Sequence, residues 1–96
     1  MRHTYVVSYD VSDPKRLRKV YKTMLGYGDH MQLSVFRCEL NAREMVELRA
    51  KLRDVVHHSE DQVMFVHVGL SEGKGATAFS TMGRPHVAPE REAVVV

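Results

Sequence analysis

Gln32-Leu33-Ser34-Val35-Phe36-Arg37-Cys38-Glu39-Leu40 decides the fold of this chain, because it can be counted as one strand or as two. Its β-branched and aromatic residues predict extended backbone. We read it as one strand lying between two helices. Upstream, Leu17, Val20, Tyr21, Met24 and Leu25 recur at the spacing of a helix with one buried face. Asp13 is its expected N-cap and Pro14 its first residue, and Gly26 and Gly28 are expected to end it. Downstream, Asn41 followed three residues later by Glu44 predicts a capping box. Met45, Leu48, Leu52, Val55 and Val56 then form the apolar stripe of a second helix.

Further outward, Thr4-Tyr5-Val6-Val7-Ser8-Tyr9-Asp10 predicts the first strand. Its alternation sets Tyr5, Val7 and Tyr9 on one side, with Ser8 and Asp10 together on the other. Gln62 to Val68 reads as a third strand, Ser71 to Gly75 as a turn and Thr77 to Met82 as a fourth, weaker strand. Gly83-Arg84-Pro85 breaks the pattern. The chain then closes on apolar Ala93-Val94-Val95-Val96, expected to be a short strand that pairs with something. The expected organisation is one domain over residues 1–83 and a tail over 84–96. With two helices on one face of the sheet, it is a plait. A β-α-β-β-α-β order requires Gln32–Leu40 to be split.

At 96 residues and 44% hydrophobic, the chain has enough apolar content for one core and gains from a partner chain that covers more surface. No apolar run reaches the roughly 20 residues of a membrane span, and no leader pattern precedes the first strand. The single Cys38 excludes an internal disulfide and cysteine-pair zinc sites, so a cytoplasmic protein is expected. The net charge of +2 is unevenly spread: residues 1–53 carry eleven Lys/Arg against six Asp/Glu, and residues 54–96 three against six. The basic half suits either an anionic partner such as a phosphate backbone or a solvated helix face.

Asp10 closes a strand beside a helix N-terminus, a common position for chemistry in sheet proteins. As a magnesium or manganese ligand it lacks company, since hard cations take several oxygens. A two-fold dimer that pairs two Asp10 residues would supply a second carboxylate. Lys15, Arg16, Arg18 and Lys19 crowd the first turns of the helix, against the preference of its dipole for anions. Asp13 reads as a cap and Cys38 as a buried strand residue. Adjacent His57 and His58 make a poor metal pair, and His3, His30, His67 and His86 show no ligand spacing. Gly73-Lys74-Gly75 lacks the spacing of a phosphate loop.

Taken together, Tyr9-Asp10, the basic run Lys15 to Lys19, Gly28, and Gln32-Leu33-Ser34-Val35-Phe36 with Glu39-Leu40 make residues 3–83 resemble the CRISPR-associated Cas-two family. The resemblance implies an α+β, ferredoxin-like plait: two helices on one face of a mainly antiparallel sheet, with a C-terminal strand pairing with the partner subunit. It implies a homodimer acting in CRISPR adaptation with the integrase subunit. For some members it implies cleavage of RNA or DNA with Mg2+ or Mn2+. On that reading Asp10 is the catalytic metal ligand, and Lys15, Arg16, Arg18 and Lys19 face nucleic acid. The alternative is a non-catalytic dimeric scaffold that bridges the integrase and spacer DNA. A small-ligand plait is a third, more distant reading.

Overall fold

The structure is a computed structural model that describes residues 1–84; the expected terminal strand at Ala93–Val96 lies outside the described residues. Its elements are β1 (His3–Asp10), α1 (Pro14–Leu25), β2 (Gly28–Gln32), β3 (Val35–Leu40), α2 (Ala42–Val55), β4 (Gln62–Leu70) and α3 (Lys74–Thr77). The strands form one sheet in the order β2-β3-β1-β4, with every neighbouring pair antiparallel. This is the ferredoxin-like α+β arrangement.

The caps form as the sequence predicts. The Asp13 carboxylate accepts the Arg16 backbone N–H at 2.9 Å, and Pro14 opens α1. Asn41 and Glu44 exchange side-chain and backbone hydrogen bonds at the start of α2. Val20 and Met24 from α1 and Leu48 and Leu52 from α2 are buried against Val7, Tyr9, Phe36, Cys38 and Leu40 of the sheet. The core therefore lies between the two helices and the odd-numbered face of β1.

Two expectations need correction. The single strand over Gln32–Leu40 is instead the second half of a hairpin, because the chain reverses at Leu33 and Ser34 and pairs β2 with β3. Gly28, expected to end the helix, opens β2. A Cβ there would come within 2.5 Å of both the Arg37 carbonyl oxygen and Cys38 Sγ. Close backbone approach, not helix termination, requires that glycine. The expected fourth strand at Thr77–Met82 does not form. Residues 74–77 make the short α3, and the true fourth strand is β2.

α3 and the residues after it fold back onto the far end of the helix-free face. Arg37 Nη2 donates to the Gly75 carbonyl at 3.0 Å, and its guanidinium stacks on the Phe79 ring with 4.9 Å to the centroid. The Thr4 and Ser71 hydroxyls meet at 2.9 Å. Held to the sheet by these contacts, the segment satisfies its polar groups without a strand ladder.

Candidate active site

Asp10 is the last residue of β1, opposite Gln62 of β4, and its side chain is exposed. It shares the helix-free face with Val6 and Ser8, as the alternation predicts. Their partners on β4, Val66 and Met64, are 43% and 52% exposed. Asp10 therefore stands at the open end of a partly apolar sheet face, away from α3. Apolar surface left open on one face of a sheet marks an interaction surface.

The backbone around Asp10 is anchored from three sides. The Tyr9 N–H donates to the Ser34 carbonyl at 3.1 Å, which ties the β2–β3 turn to the end of β1. Val11 is buried directly after Asp10. Beneath the site, Phe36 sits among the rings of Tyr9, Tyr21 and His30, with centroids at 6.2, 5.7 and 5.0 Å. Burial, reinforced by Tyr21, pushes the Tyr9 phenol up to about 12. Tyr9 is thus a packing residue with no proton to exchange near neutral pH.

The third anchor is an ion pair that sequence reasoning missed. Arg16 Nε donates to Asp61 Oδ2 at 2.8 Å, while Nη2 reaches Asp61 Oδ1 at 3.2 Å and Glu60 Oε1 at 3.1 Å. Asp61 also accepts the His57 backbone N–H at 2.8 Å, and its side chain is fully enclosed. The clamp joins the first turn of α1 to the residue before Gln62, the β4 partner of Asp10. An Asp one position ahead of a strand was the only available signal, and its partner lies 45 residues away. Of the four expected nucleic-acid cations, Arg16 is therefore occupied by carboxylates. Lys15, Arg18 and Lys19 are exposed and make no ion pair among the described residues.

The Arg16 hydrogen bond, followed by that from His57, holds the Asp61 carboxyl below its ordinary value of 3.8. A carboxyl depressed in the folded state stabilises the fold above its unfolded pKa and loses that contribution as pH falls through the folded one. The Asp61 contribution is thus complete above about pH 5 and fades in the acid range below the ordinary aspartate value. Arg16→Met is expected to flatten the acid limb of a stability–pH curve while also lowering the plateau near pH 7. Urea midpoints between pH 2 and 7 check this, and an unchanged acid limb would assign that limb to other carboxylates.

Asp13 is spent on the helix cap. Among the described residues, no group of three or more His, Cys, Asp or Glu is placed to hold a metal ion. One Asp10 carboxylate is too sparse a donor set for a hard dication, so it fits such an ion only as half of a symmetric site. No helix among the described residues is long and apolar enough to cross a membrane.

Comparison with known proteins agrees with this geometry. The family described as CRISPR associated protein Cas2 matches residues 2–73. The CRISPR-associated endoribonuclease Cas2 of Geobacter sulfurreducens is 36% identical over 96 residues, all of both chains. CRISPR-associated endoribonuclease Cas2 1 of Rhodospirillum rubrum is 37% identical over 94 residues, covering 98% of this chain and 91% of that one. The crystal structure of Streptococcus pyogenes Cas2 at pH 6.5 superposes with a TM-score of 0.71 at 30% identity, covering 83% of this chain and 99% of that one. With strand order, hairpin and both helices in place and the match spanning residues 2–73, this chain belongs to the CRISPR associated protein Cas2 family.

Proposed function

We propose that this chain works as a homodimeric endonuclease of CRISPR adaptation that cleaves phosphodiester bonds of RNA or DNA with Mg2+ or Mn2+ at Asp10. The observation that carries the proposal is the placement of Asp10 on the helix-free face, beside exposed Met64 and Val66. A two-fold contact through that face covers the apolar side chains and brings the two Asp10 carboxylates toward the axis. The relatives named endoribonuclease support the nuclease reading.

In this mechanism the dication, when bound, supplies Lewis acidity toward the phosphate and a more acidic water. The two Asp10 carboxylates hold it. Lys15, Arg18 and Lys19 draw in and orient the polyanion. Arg16 acts through Asp61 as a positioning residue that fixes the start of β4 opposite Asp10. Tyr9 and Phe36 keep the strand end rigid from below.

The scaffold reading rests on the exposed cations alone, because Lys15, Arg18 and Lys19 hold a phosphate backbone without any use of Asp10. On that reading the dimer bridges the CRISPR integrase subunit and spacer DNA. Cleavage of labelled RNA and duplex DNA with Mg2+, Mn2+ or EDTA, run beside sedimentation of the same sample, separates the two. A two-chain particle whose cleavage stops in EDTA supports the nuclease. A two-chain particle with salt-dependent DNA binding and no cleavage supports the scaffold. A monomer at micromolar concentration counts against both.

Both readings share one expectation for the basic face. Replacing Lys15, Arg18 or Lys19 singly by Ala is expected to reduce the slope of log affinity against log salt by about one for duplex DNA. Fluorescence anisotropy between low and moderate salt measures it. An unchanged slope in all three variants would remove α1 from the interface.

A further inference from the structure

His3 and His67 stand 64 positions apart in sequence, yet His3 Nδ1 and His67 Nε2 meet at 2.8 Å. Their rings lie 4.9 Å apart at a tilt of 38°. His3 is half-buried at the start of β1 and His67 is exposed on the edge strand β4, so the pair is open to solvent from one side. The Tyr5 ring flanks His67 at 5.3 Å. His3 begins β1 and Asp10 ends it, a separation of about 23 Å at strand rise, so this pair is no part of the Asp10 site.

The local backbone is distorted where the two rings meet. A regular ladder running from Tyr5 opposite His67 would set Thr4 against Val68 and His3 against Gly69. Instead Thr4 faces Gly69 and His3 faces Leu70, which leaves Val68 as an extra residue in β4. Gly69 carries φ +150°, a conformation that L side chains rarely adopt. A bulge re-aims side chains, and such bulges accumulate near functional sites. Here it lies between the two positions whose imidazole nitrogens converge.

We propose that His3 and His67 form a two-histidine site for a borderline dication of the Zn2+ class, with water completing the shell. Imidazole nitrogen is a preferred donor for such ions. At Zn–N bonds of about 2.0–2.1 Å in a tetrahedral shell, the two nitrogens stand about 3.3–3.4 Å apart. The present separation therefore opens by only about half an ångström, within reach of small ring rotations. One facing nitrogen now donates its proton to the other. Binding needs both lone pairs, so that ring moves its proton to its own outer nitrogen through solvent and remains neutral. Mg2+ selects oxygen donors and does not compete here.

The test is calorimetric titration of the untagged full chain with Zn2+, in excess Mg2+, for wild type, His3→Ala, His67→Ala and the control His57→Ala. The wild type and His57→Ala are expected to take up one Zn2+ per chain at equal affinity. Loss of either partner is expected to weaken binding by more than about tenfold, since even outer-shell partners of a metal are worth about 10–100-fold. Melting curves without metal confirm that each variant is folded, and His67→Gln replaces any that is not. No saturable uptake by the wild type overturns the proposal. So does uptake that survives His67→Ala unchanged, because that assigns it to His3 alone or to another histidine. Neither outcome bears on cleavage at Asp10, which does not involve these residues.

Discussion

Asp10→Ala is expected to lower the metal-dependent cleavage rate by about two to three orders of magnitude, the scale on which loss of one preorganised electrostatic group acts, while leaving the protein folded. The carboxylate is exposed, and β1 keeps its ladder to Gln62 whatever side chain occupies position 10. Exposed substitutions of this kind change stability by about 0.5 kcal/mol or less. Catalysis differs because a symmetric site loses both of its carboxylates at once. Asp10→Asn keeps the size and removes the charge, so a comparable loss in that variant identifies charge rather than shape as the cause. Initial rates on one labelled RNA, with melting temperatures on the same samples, make the comparison. A rate unchanged by either variant would move the chemistry away from Asp10. Loss of activity together with collapse of the melting temperature would show that residue 10 supports the fold.

Phe36→Ala is expected to cost about 3–5 kcal/mol, the range for removing a buried aromatic ring. Phe36 is fully buried between the sheet and α1, where it contacts the Tyr9, Tyr21 and His30 rings. Small domains carry about 5–15 kcal/mol in total, so this one change removes a large share. Phe36→Leu retains most of the volume and is expected to cost clearly less. Urea denaturation gives both values. If the alanine variant lost less than about 1 kcal/mol, the ring would not be the keystone beneath Asp10 that its contacts describe. In the alanine variant, cleavage should fall in proportion to the unfolded fraction and recover on cooling toward the temperature of greatest stability.

The exposed helix cations and the Arg16 clamp divide a basic run that looks uniform as a string. Lys15, Arg16, Arg18 and Lys19 are all cations within one and a half turns, and an isolated helix would present them alike. Docking α1 against the start of β4 turns Arg16 toward an enclosed Asp61 and leaves the other three facing water. Screened surface charges steer polyanions. A bidentate pair with an enclosed carboxylate instead fixes geometry. The same residue type therefore takes two roles, decided by which neighbour the fold supplies.

Local signals were legible in the sequence. The alternation of Tyr5, Val7 and Tyr9 against Ser8 and Asp10 placed the carboxylate on its face, because side-chain direction in a strand follows position parity. Asp13-Pro14 and Asn41 with Glu44 placed both helix starts, because a cap satisfies backbone donors within three or four residues. Family membership was legible for a related reason: Tyr9-Asp10 and Gln32 to Phe36 are short runs. The tertiary structure decided what depends on distant register. The β2–β3 turn falls on Leu33 at φ +24°, with no glycine, asparagine or proline to announce it. Gly28 is required by the closeness of Cys38 on the neighbouring strand, which no local pattern encodes. Asp61 and Arg16 meet across 45 residues, and His3 and His67 across 64. Those meetings are set by which strands pair and by one extra residue in β4. Period and capping act over a turn of helix or a few strand residues, whereas pairing between distant segments is chosen by the packing of the whole sheet.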